Sequence, residues 1–258
     1  MKIKESTILI TGGSNGIGLE FAKQFMNEGA NVIITGRNFA KLQEVKKTFP
    51  KIHIFQSDVN NPMAIKLLFE QVTTQFPNLN MIINNAGIMR SVELLDANIN
   101  MDNLTDEIDT NFTGTVRMIH QFLPHLITKN SAAIINITSG LAYIPFPISP
   151  LYCATKAGIH MYSQALRQQL KHTNVKVFEV APPKTDKPLQ TAIEAQHDTG
   201  KVMKVEVLVQ KSIKGILKNR YEIKPGLASV MKLMSRIAPE FFTKMVAKNV
   251  EKAKLKRH

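Results

Sequence analysis

The sequence has few cysteines, few acidic residues and no long apolar run. Its single cysteine, Cys153, excludes an intrachain disulfide framework and suits a reducing compartment. No apolar stretch reaches the roughly 18 residues that a membrane-spanning helix needs. The charged N-terminus, Met1–Ser6, leads directly into a predicted strand and does not resemble a signal peptide. We therefore expect a cytoplasmic protein.

Metal-binding spacings are also missing. The histidines form no HExxH pattern and no Cys/His pairs, so a metal site is not expected. Cys153 directly follows Tyr152, but on a helix the two side chains point about 100° apart. This spacing favours a packing role for the cysteine.

Acidic residues are scarce, with 20 against 33 basic residues and a net charge of +13. Residues 226–258 hold eight basic and two acidic residues, a net +6, while Leu227, Met234 and Ile237 recur at helical spacing. A second helix is predicted from Pro239. These helices either rest on an anionic membrane surface or pack their apolar stripe on the same domain or a second subunit. Nucleic acid is not expected, because no base-reading motif or stacking platform accompanies the charge.

Short apolar runs alternate with helical patterns along the first 225 residues. The predicted strands are Thr7–Thr11, Val32–Thr35, Ile52–Phe55, Met81–Asn84, Ala132–Ile137, Val175–Val180 and Tyr221–Ile223. The predicted helices are Ile17–Glu28, Phe39–Thr48, Pro62–Phe76, Leu104–Lys129, Pro150–Lys171 and Val205–Lys218. The alternation predicts an α/β doubly wound parallel sheet (Rossmann fold) of about seven strands in residues 1–225, with C-terminal amphipathic helices in 226–258.

A glycine-rich turn follows the first strand and opens the first helix. Glycines permit tight curvature and let main-chain N–H groups approach a pyrophosphate, where the helix N-terminus adds positive potential. The turn thus predicts a dinucleotide site with contacts from Gly12, Ser14, Asn15, Gly16, Ile17 and Gly18.

The second strand favours NADP(H) over NAD. NAD sites usually place a carboxylate at its end to bind the ribose 2′-hydroxyl, but Gly29–Gln43 contains no Asp or Glu. Arg37 stands there instead, and its guanidinium fork suits a 2′-phosphate. Ser14 adds a hydroxyl donor. Further cofactor contacts are expected at the ends of the third and fourth strands, from Asp58, Val59, Asn85, Ala86 and Gly87.

Tyr152 and Lys156 stand four residues apart on a predicted helix, and Ser139 ends the fifth strand. Residues at i and i+4 share a helix face, so the two side chains can enter one cleft. A nearby ammonium lowers the pKa of a phenol and favours proton transfer by the tyrosine. Ser139 can donate a hydrogen bond to a carbonyl oxygen. Together with the glycine turn, this group predicts hydride transfer between nicotinamide and a carbonyl or alcohol.

These residues resemble the short-chain dehydrogenase/reductase family over residues 5–224. Thr11–Gly18 is similar to its TGxxxGIG turn, Asn84–Gly87 to its NNAG motif, and Ser139 with Tyr152 and Lys156 to its active site. The resemblance implies that Tyr152 protonates the carbonyl oxygen, Lys156 tunes it and binds ribose, and Ser139 orients substrate. It adds Asn111 as the residue whose backbone holds a proton-relay water.

The resemblance extends to a subgroup and to assembly. Tyr152–Lys156 and Ala181–Pro183 are similar to bacterial DltE-like oxidoreductases. Helices Leu104–Lys129 and Pro150–Lys171 form dimer interfaces in similar reductases, which implies a homodimer or homotetramer.

One segment departs from the family pattern. The family has Pro-Gly and a spaced Thr after the sixth strand, where this chain has Pro182-Pro183 and Lys187. Pro183 lacks an N–H group. We expect Pro182 and Thr185 to provide the cofactor contacts there.

Two segments are predicted to border the substrate. Leu141–Ile148 is mostly apolar, which favours a lipophilic ketone, aldehyde or alcohol, unless this stretch only packs on the domain. Pro183–Lys204 is polar and placed like a lid. A rival hypothesis is an NADP-binding scaffold or redox sensor that acts through partner contacts, although such a protein has no need of the Tyr152/Lys156 pair.

Overall fold

The computed structural model describes residues 2–95, 99–186 and 202–255. Within these residues one seven-stranded sheet has the order β3-β2-β1-β4-β5-β6-β7, and all neighbouring strands are parallel. The strands are β1 Thr7–Thr11, β2 Asn31–Gly36, β3 His53–Gln56, β4 Leu79–Asn84, β5 Ala132–Ile137, β6 Val175–Val180 and β7 Glu222–Ile223. The predicted fold class is therefore confirmed, and the strand order reverses direction between β1 and β4.

Helices cover both faces of the sheet. They are α1 Gly16–Asn27, α2 Phe39–Thr48, α3 Pro62–Gln75, α4 Met101–Leu104, α5 Gly114–Ile127, α6 Pro150–Gln169, α7 Val205–Leu217, α8 Leu227–Ile237 and α9 Pro239–Leu255. Asn38 and Asn61 cap α2 and α3 through side-chain hydrogen bonds, and Pro62 occupies the first turn of α3. None of the described helices has the length and apolar content needed to span a membrane.

Alternate residues of the central strands enter two separate cores. Ile8 and Ile10 of β1 contact one core, which α1, α2 and α7 complete. Leu9 of β1 enters the other core, which α3, α5 and α6 complete. All three side chains are fully buried. Burial of both faces explains why the strands read as continuous apolar runs.

The long fourth helix differs from its prediction. The expected continuous helix Leu104–Lys129 contains a π-helical segment, Ile108–Thr113, before α5 begins at Gly114. The side chain of Asn111 pairs with both backbone groups of Ile88, accepting from the N–H at 2.8 Å and donating to the carbonyl at 2.8 Å. π-Helical segments are frequent at functional sites because they displace one side chain from the regular helical pattern.

The two C-terminal helices pack near the segment that follows β5 and on the apolar cluster around Tyr152. Met231 of α8 lies against the backbone of Gly140, where an added Cβ would be 2.9 Å from the methionine sulfur. Val250 of α9 is buried in an apolar cluster with Phe146 and Tyr152. Segment 226–255 thus contacts the residues that surround the predicted proton donor.

Candidate active site

The predicted functional residues follow the carboxyl ends of the parallel strands. Gly12 follows β1, Arg37 follows β2, Asp58 follows β3, Asn85 follows β4 and Ser139 follows β5. In a doubly wound sheet this edge binds ligands, especially where the strand order reverses. The chain places its glycine turn and its Asn85–Gly87 segment at that reversal, on neighbouring strands β1 and β4.

The glycine turn forms a cradle that side chains would fill. Gly12 and Gly16 have positive φ angles of 64° and 54°, a region that favours glycine. A Cβ at Gly18 would lie 2.4 Å from the Gly12 carbonyl oxygen and 2.4 Å from the Asn85 amide nitrogen. The turn therefore brings bare backbone and a helix N-terminus to the strand edge, which fits the pyrophosphate of a dinucleotide.

Asn85 holds this turn in place. Its side-chain nitrogen donates to the carbonyls of Thr11 and Gly12, both at 3.0 Å. The Thr11 hydroxyl in turn accepts from the backbone N–H groups of Asn85 and Ala86, each at 3.0 Å. The side chain of Asn85, which sequence reasoning assigned to cofactor contact, thus supports the turn. The two strand ends are joined into one rigid surface.

Ser14 and Arg37 lie beside the end of β2. The Ser14 hydroxyl is 3.8 Å from the Cβ position of Gly36, the residue before Arg37. Arg37 is exposed, and its backbone carbonyl accepts from the Gln56 side chain at 2.8 Å. Asn15 is the N-cap residue of α1 and makes no side-chain capping bond. This corner therefore offers a hydroxyl and a guanidinium without a carboxylate on β2.

Asp58 and Val59 lie on the same edge, after β3. The Asp58 carboxylate accepts from the backbone N–H of Asn60 at 2.9 Å, which forms a local turn. Val59 packs on Gly114 at the start of α5, where an added Cβ would lie 2.9 Å from its side chain. Both residues are partly buried, as expected of residues that border the adenine ring of a dinucleotide.

Burial strongly perturbs Lys156 at this edge. Its side chain is buried, and burial lowers its pKa from 10.5 to about 8. Its Nζ donates to the Ile137 carbonyl at 2.9 Å and lies 5.6 Å from the ring centroid of Tyr152. The predicted i, i+4 pair therefore lies on one helix face, with the ammonium next to the phenol.

Asn111 and Gly87 complete the surroundings of Lys156. A Cβ at Gly87 would lie 3.1 Å from Asn111 Oδ1 and 3.5 Å from Lys156 Nζ, so the glycine separates the two side chains without filling the space. Asn111 Nδ2 also donates to the Thr155 hydroxyl at 3.2 Å, which ties the π-helical segment to α6. The Asn111 Nδ2 thus has two acceptors and Oδ1 has one donor, and these bonds fix the side chain beside Lys156.

Backbone hydrogen bonds of the residues on either side of Ser139 join this segment to the end of β6 and the residues after it. The Ser139 hydroxyl accepts from the Leu141 N–H at 3.1 Å, and Gly140 N–H donates to the Pro182 carbonyl at 2.8 Å. Thr185 is buried and forms a parallel bridge with Met203. Lys187 and most of the predicted lid lie outside the described residues, whereas residues 184–186 are bonded to 203–205 at its base.

Sequence reasoning missed a buried polar network behind this site. Glu179 of β6 has no solvent exposure, and its carboxylate accepts from the Thr138 hydroxyl at 2.8 Å and the Tyr143 hydroxyl at 3.3 Å. Its other oxygen lies 2.8 Å from His160 Nδ1, one turn beyond Lys156 on α6. Burial and the Glu179 charge raise the pKa of Tyr143 far above its usual value. The network links α6, the strand end before Ser139 and β6.

Glu222 of β7 lies beside this network and is bonded to α8. Its carboxylate accepts from Lys224 at 2.9 Å and from Lys232 of α8. Burial acts to raise the Glu222 pKa, but these two lysines hold it at about 2. Lys232 Nζ also lies 5.5 Å from the Tyr143 ring centroid.

His160, Glu179 and Glu222 have ligand atoms within 4.8 Å of one another, a spacing that a metal ion could bridge. Both carboxylates, however, already accept hydrogen bonds from protein groups. His160 and Glu179 are hydrogen-bonded to each other, and Glu222 is held by two lysines beside them.

Comparison with known proteins identifies the family. The model of the short chain dehydrogenase family matches residues 6–198. The chain belongs to the short-chain dehydrogenase/reductase family. The uncharacterized oxidoreductase DltE of Bacillus subtilis is 42% identical over 224 residues, covering 86% of this chain and 89% of DltE. An uncharacterized oxidoreductase of Staphylococcus epidermidis is 32% identical, covering 73% of this chain and 81% of the relative.

Solved structures of the family share the fold. A short-chain dehydrogenase from Burkholderia cenocepacia in complex with NADP has a TM-score of 0.82 at 21% identity, covering 95% of this chain and 99% of that one. A short-chain dehydrogenase/reductase from Burkholderia phymatum in complex with NAD has a TM-score of 0.81 at 18% identity, covering 92% and 95%. The chain is therefore an oxidoreductase of this family, and these two structural neighbours were solved with NADP and with NAD.

Proposed function

We propose that this short-chain dehydrogenase/reductase is an NADP(H)-dependent reductase of lipophilic carbonyl compounds, working also in reverse on the alcohols. The observation that carries the proposal is the buried Lys156 ammonium held 5.6 Å from the Tyr152 ring at the carboxyl edge of the sheet. The bound nicotinamide would supply or accept the hydride. Gly12–Gly18, Asp58, Val59 and Asn85–Gly87 would hold the cofactor.

The protein's own residues would position the substrate and move the proton. The Tyr152 hydroxyl would donate a proton to the carbonyl oxygen, and the adjacent Lys156 ammonium favours the phenolate that remains. The Ser139 hydroxyl would hydrogen-bond the same oxygen and orient the carbonyl. Lys156 would also bind the cofactor ribose, while the backbone near Asn111 would hold the water that returns a proton.

The preference for NADP(H) rests on the corner formed by Ser14 and Arg37. The Ser14 hydroxyl lies next to Gly36, Arg37 follows directly, and β2 and the turn after it carry no acidic residue. A guanidinium and a hydroxyl bind a 2′-phosphate, whereas a 2′-hydroxyl is usually bound by a carboxylate. Pro182 and Thr185 would add contacts at the nicotinamide end.

Fluorescence titration with NADPH and NADH tests this preference. Wild type should bind NADPH more tightly, and Arg37→Gln should weaken NADPH binding about ten-fold or more while leaving NADH binding within two-fold, as expected for one charge-assisted contact. Lys41→Gln is the matched control, because it removes an exposed charge from the start of α2 without touching the corner. Tighter binding of NADH by wild type would overturn the assignment.

The apolar cluster around Tyr152 supports a lipophilic substrate. Met89, Phe146, Ile148 and Val250 are buried in it, and Leu141 and Val246 pack against it. Such walls favour an apolar group beside the reacting carbonyl and disfavour a charged one. A panel of ketones and aldehydes of increasing chain length, with NADPH consumption as the readout, should show kcat/KM rising with apolar length. Preference for short charged substrates would contradict it.

We also propose a homodimer or homotetramer built on α5 and α6, in the cytoplasm, where the single thiol stays reduced. Met161 of α6 is 64% exposed on the described chain, as an interface residue would be before assembly. Light scattering of Met161→Glu against wild type tests this arrangement, since a charge at the interface should lower the oligomeric mass. An unchanged mass would contradict it.

A further inference from the structure

The C-terminal helices α8 and α9 expose an unusual amount of apolar surface. Leu233, Ile237 and Phe241 are 56%, 67% and 64% exposed. Leu227, Val230 and Met245 are also exposed. We name these six residues, with the basic residues around them, the C-terminal patch. Single exposed apolar residues are ordinary, but six of them on two consecutive helices that contact each other indicate an interaction site.

The C-terminal patch faces away from the domain. Ala228 of α8 is fully buried against the domain, and Ile237 lies about 180° from it around the helix. On α9, Val250 is buried in the cluster around Tyr152, and Phe241 is again about 180° away. Both helices thus have one apolar stripe that packs on the domain and a second, separate stripe that the domain does not cover.

Basic residues lie on the exposed faces of both helices. By helical spacing Lys248 and Lys252 are within about 20° of Phe241 on α9, farther along the helix, and Arg236 borders the apolar stripe of α8. Lys244, Lys248 and Lys252 lie on the exposed side of α9, and Arg236 is exposed on α8. On α9 the only described ion pair joins Lys244 to Glu240 at 3.8 Å, and both side chains are more than 80% exposed. Exposed pairs of this kind neutralise little charge. Segment 226–258 keeps a net charge of +6, with eight basic and two acidic residues.

We infer that the C-terminal patch docks this protein on an anionic phospholipid surface. The exposed apolar side chains of α8 and of the first half of α9 enter the boundary between headgroups and acyl chains, while the exposed lysines farther along α9 meet lipid phosphates. An anionic membrane provides both an apolar layer for the exposed apolar side chains and phosphates for the lysines. A second copy of the chain would bring the same basic residues into mutual contact, and nucleic acid would leave the apolar residues in water.

The helices α8 and α9 that carry the C-terminal patch also contact residues around the candidate active site. The inward stripe of α9 contributes Val246 and Val250 to the apolar cluster around Tyr152. Lys232 of α8 lies 5.5 Å from the ring centroid of Tyr143, whose hydroxyl donates to Glu179, and Glu179 also accepts from Thr138 next to Ser139. The same two helices therefore lie between the proposed lipid surface and the reacting groups. Docking itself does not depend on the proposed substrate or on turnover.

Vesicle flotation of the full chain tests the inference. The probes are vesicles of phosphatidylglycerol and phosphatidylcholine in equal amounts, and vesicles of phosphatidylcholine alone. Wild type should float with the anionic vesicles and bind the neutral ones about ten-fold or more less tightly, because each lysine near an anionic surface contributes roughly a five-fold gain. The double variant Leu233→Asp/Ile237→Asp should lose binding to both.

Two further variants test the contribution of the lysines and the location of the binding surface. Lys244→Glu/Lys248→Glu should reduce binding to anionic vesicles about 25-fold or more and leave the weak neutral binding unchanged. Met63→Asp/Leu67→Asp is the matched control, since these α3 residues are 70% and 54% exposed and lie outside the C-terminal patch. It should bind as wild type. NADPH titration and thermal unfolding confirm that each variant is folded.

Three outcomes would overturn the inference. Wild type could remain in the aqueous fraction with both vesicle types. Folded Leu233→Asp/Ile237→Asp could bind as tightly as wild type. Finally, the same variant could dissociate a dimer in light scattering while wild type shows no vesicle binding, which would assign the C-terminal patch to self-association.

Discussion

Burial of Lys156 predicts a specific pH dependence of stability. Its pKa falls from 10.5 to about 8 because the ammonium is removed from water, which corresponds to about 3 kcal/mol of unfavourable free energy at pH 7. Lys156→Met keeps much of the side-chain volume and removes the charge. The variant therefore escapes this cost at pH 7, although it loses the hydrogen bond to the Ile137 carbonyl.

The sign of the effect follows from the proton bound in each state. At pH 7 the Lys156 amine is protonated in both the folded and the unfolded wild type. The folded protein is therefore destabilised by the full free energy of removing the ammonium from water. Between pH 8 and 10.5 the folded protein has released this proton and the unfolded chain retains it, so the free energy of unfolding rises with pH. Between pH 7 and pH 10, the free energy of unfolding of wild type should rise by about 2 to 3 kcal/mol relative to that of Lys156→Met.

Urea unfolding of both proteins at half-unit steps from pH 7 to pH 10 measures this difference. Subtracting the two curves cancels the other titrating groups, and the hydrogen bond affects mainly the offset and not the slope. Lys47→Met, at an exposed site on α2, provides the control and should give a difference that stays flat. If the Lys156→Met difference is flat as well, the ammonium is not desolvated and our description of the site is wrong.

Three further predictions test separate parts of the structure. Gly18→Ala places a Cβ 2.4 Å from the Gly12 carbonyl oxygen, so calorimetry should show NADPH affinity reduced about ten-fold or more, and unchanged affinity would refute the cradle. Glu179→Ala removes the acceptor shared by His160 and two hydroxyls, so urea unfolding should show a loss of about 3 kcal/mol, and a loss below about 1 kcal/mol would contradict the network. Burial raises the Cys153 pKa to about 11, so the thiol should resist iodoacetamide at pH 8 until urea unfolds the protein, and rapid modification of the folded protein would show that it is accessible.

Most of the fold could be predicted because its signals are local. Strands buried on both faces read as apolar runs, so β1, β5 and β6 have the predicted bounds. The i, i+4 spacing of Tyr152 and Lys156 and their place on a helix were enough to bring the two side chains together. The position of Ser139 just after β5 could be predicted because the end of β5 could be predicted.

The features that were missed depend on contacts between distant segments. Glu179 stands in an apolar strand, and its partners Thr138, Tyr143 and His160 come from three other elements. In the π-helical segment, Asn111 bonds the backbone of Ile88, 23 residues away. Neither partnership leaves a periodic signal in the sequence.

The C-terminal helices show a different limit. Their periodicity predicts amphipathic helices, but it does not reveal which apolar stripe faces the domain. The structure places Val250 inward and leaves Phe241 outward. The stripe of α9 that faces the domain is the one that packs in the cluster around Tyr152, and this cluster forms only when the chain is folded.

The central claim is proton transfer from Tyr152 coupled to hydride transfer from NADPH. The most direct measurement follows deuterium from NADPH labelled at nicotinamide C4 into the product alcohol, for wild type, Tyr152→Phe and the matched variant Tyr162→Phe on the same helix. We predict label in the product for wild type and Tyr162→Phe, and a loss of about a thousand-fold or more in rate for Tyr152→Phe with NADPH affinity retained. Equal rates of label transfer for wild type and Tyr152→Phe would contradict the account.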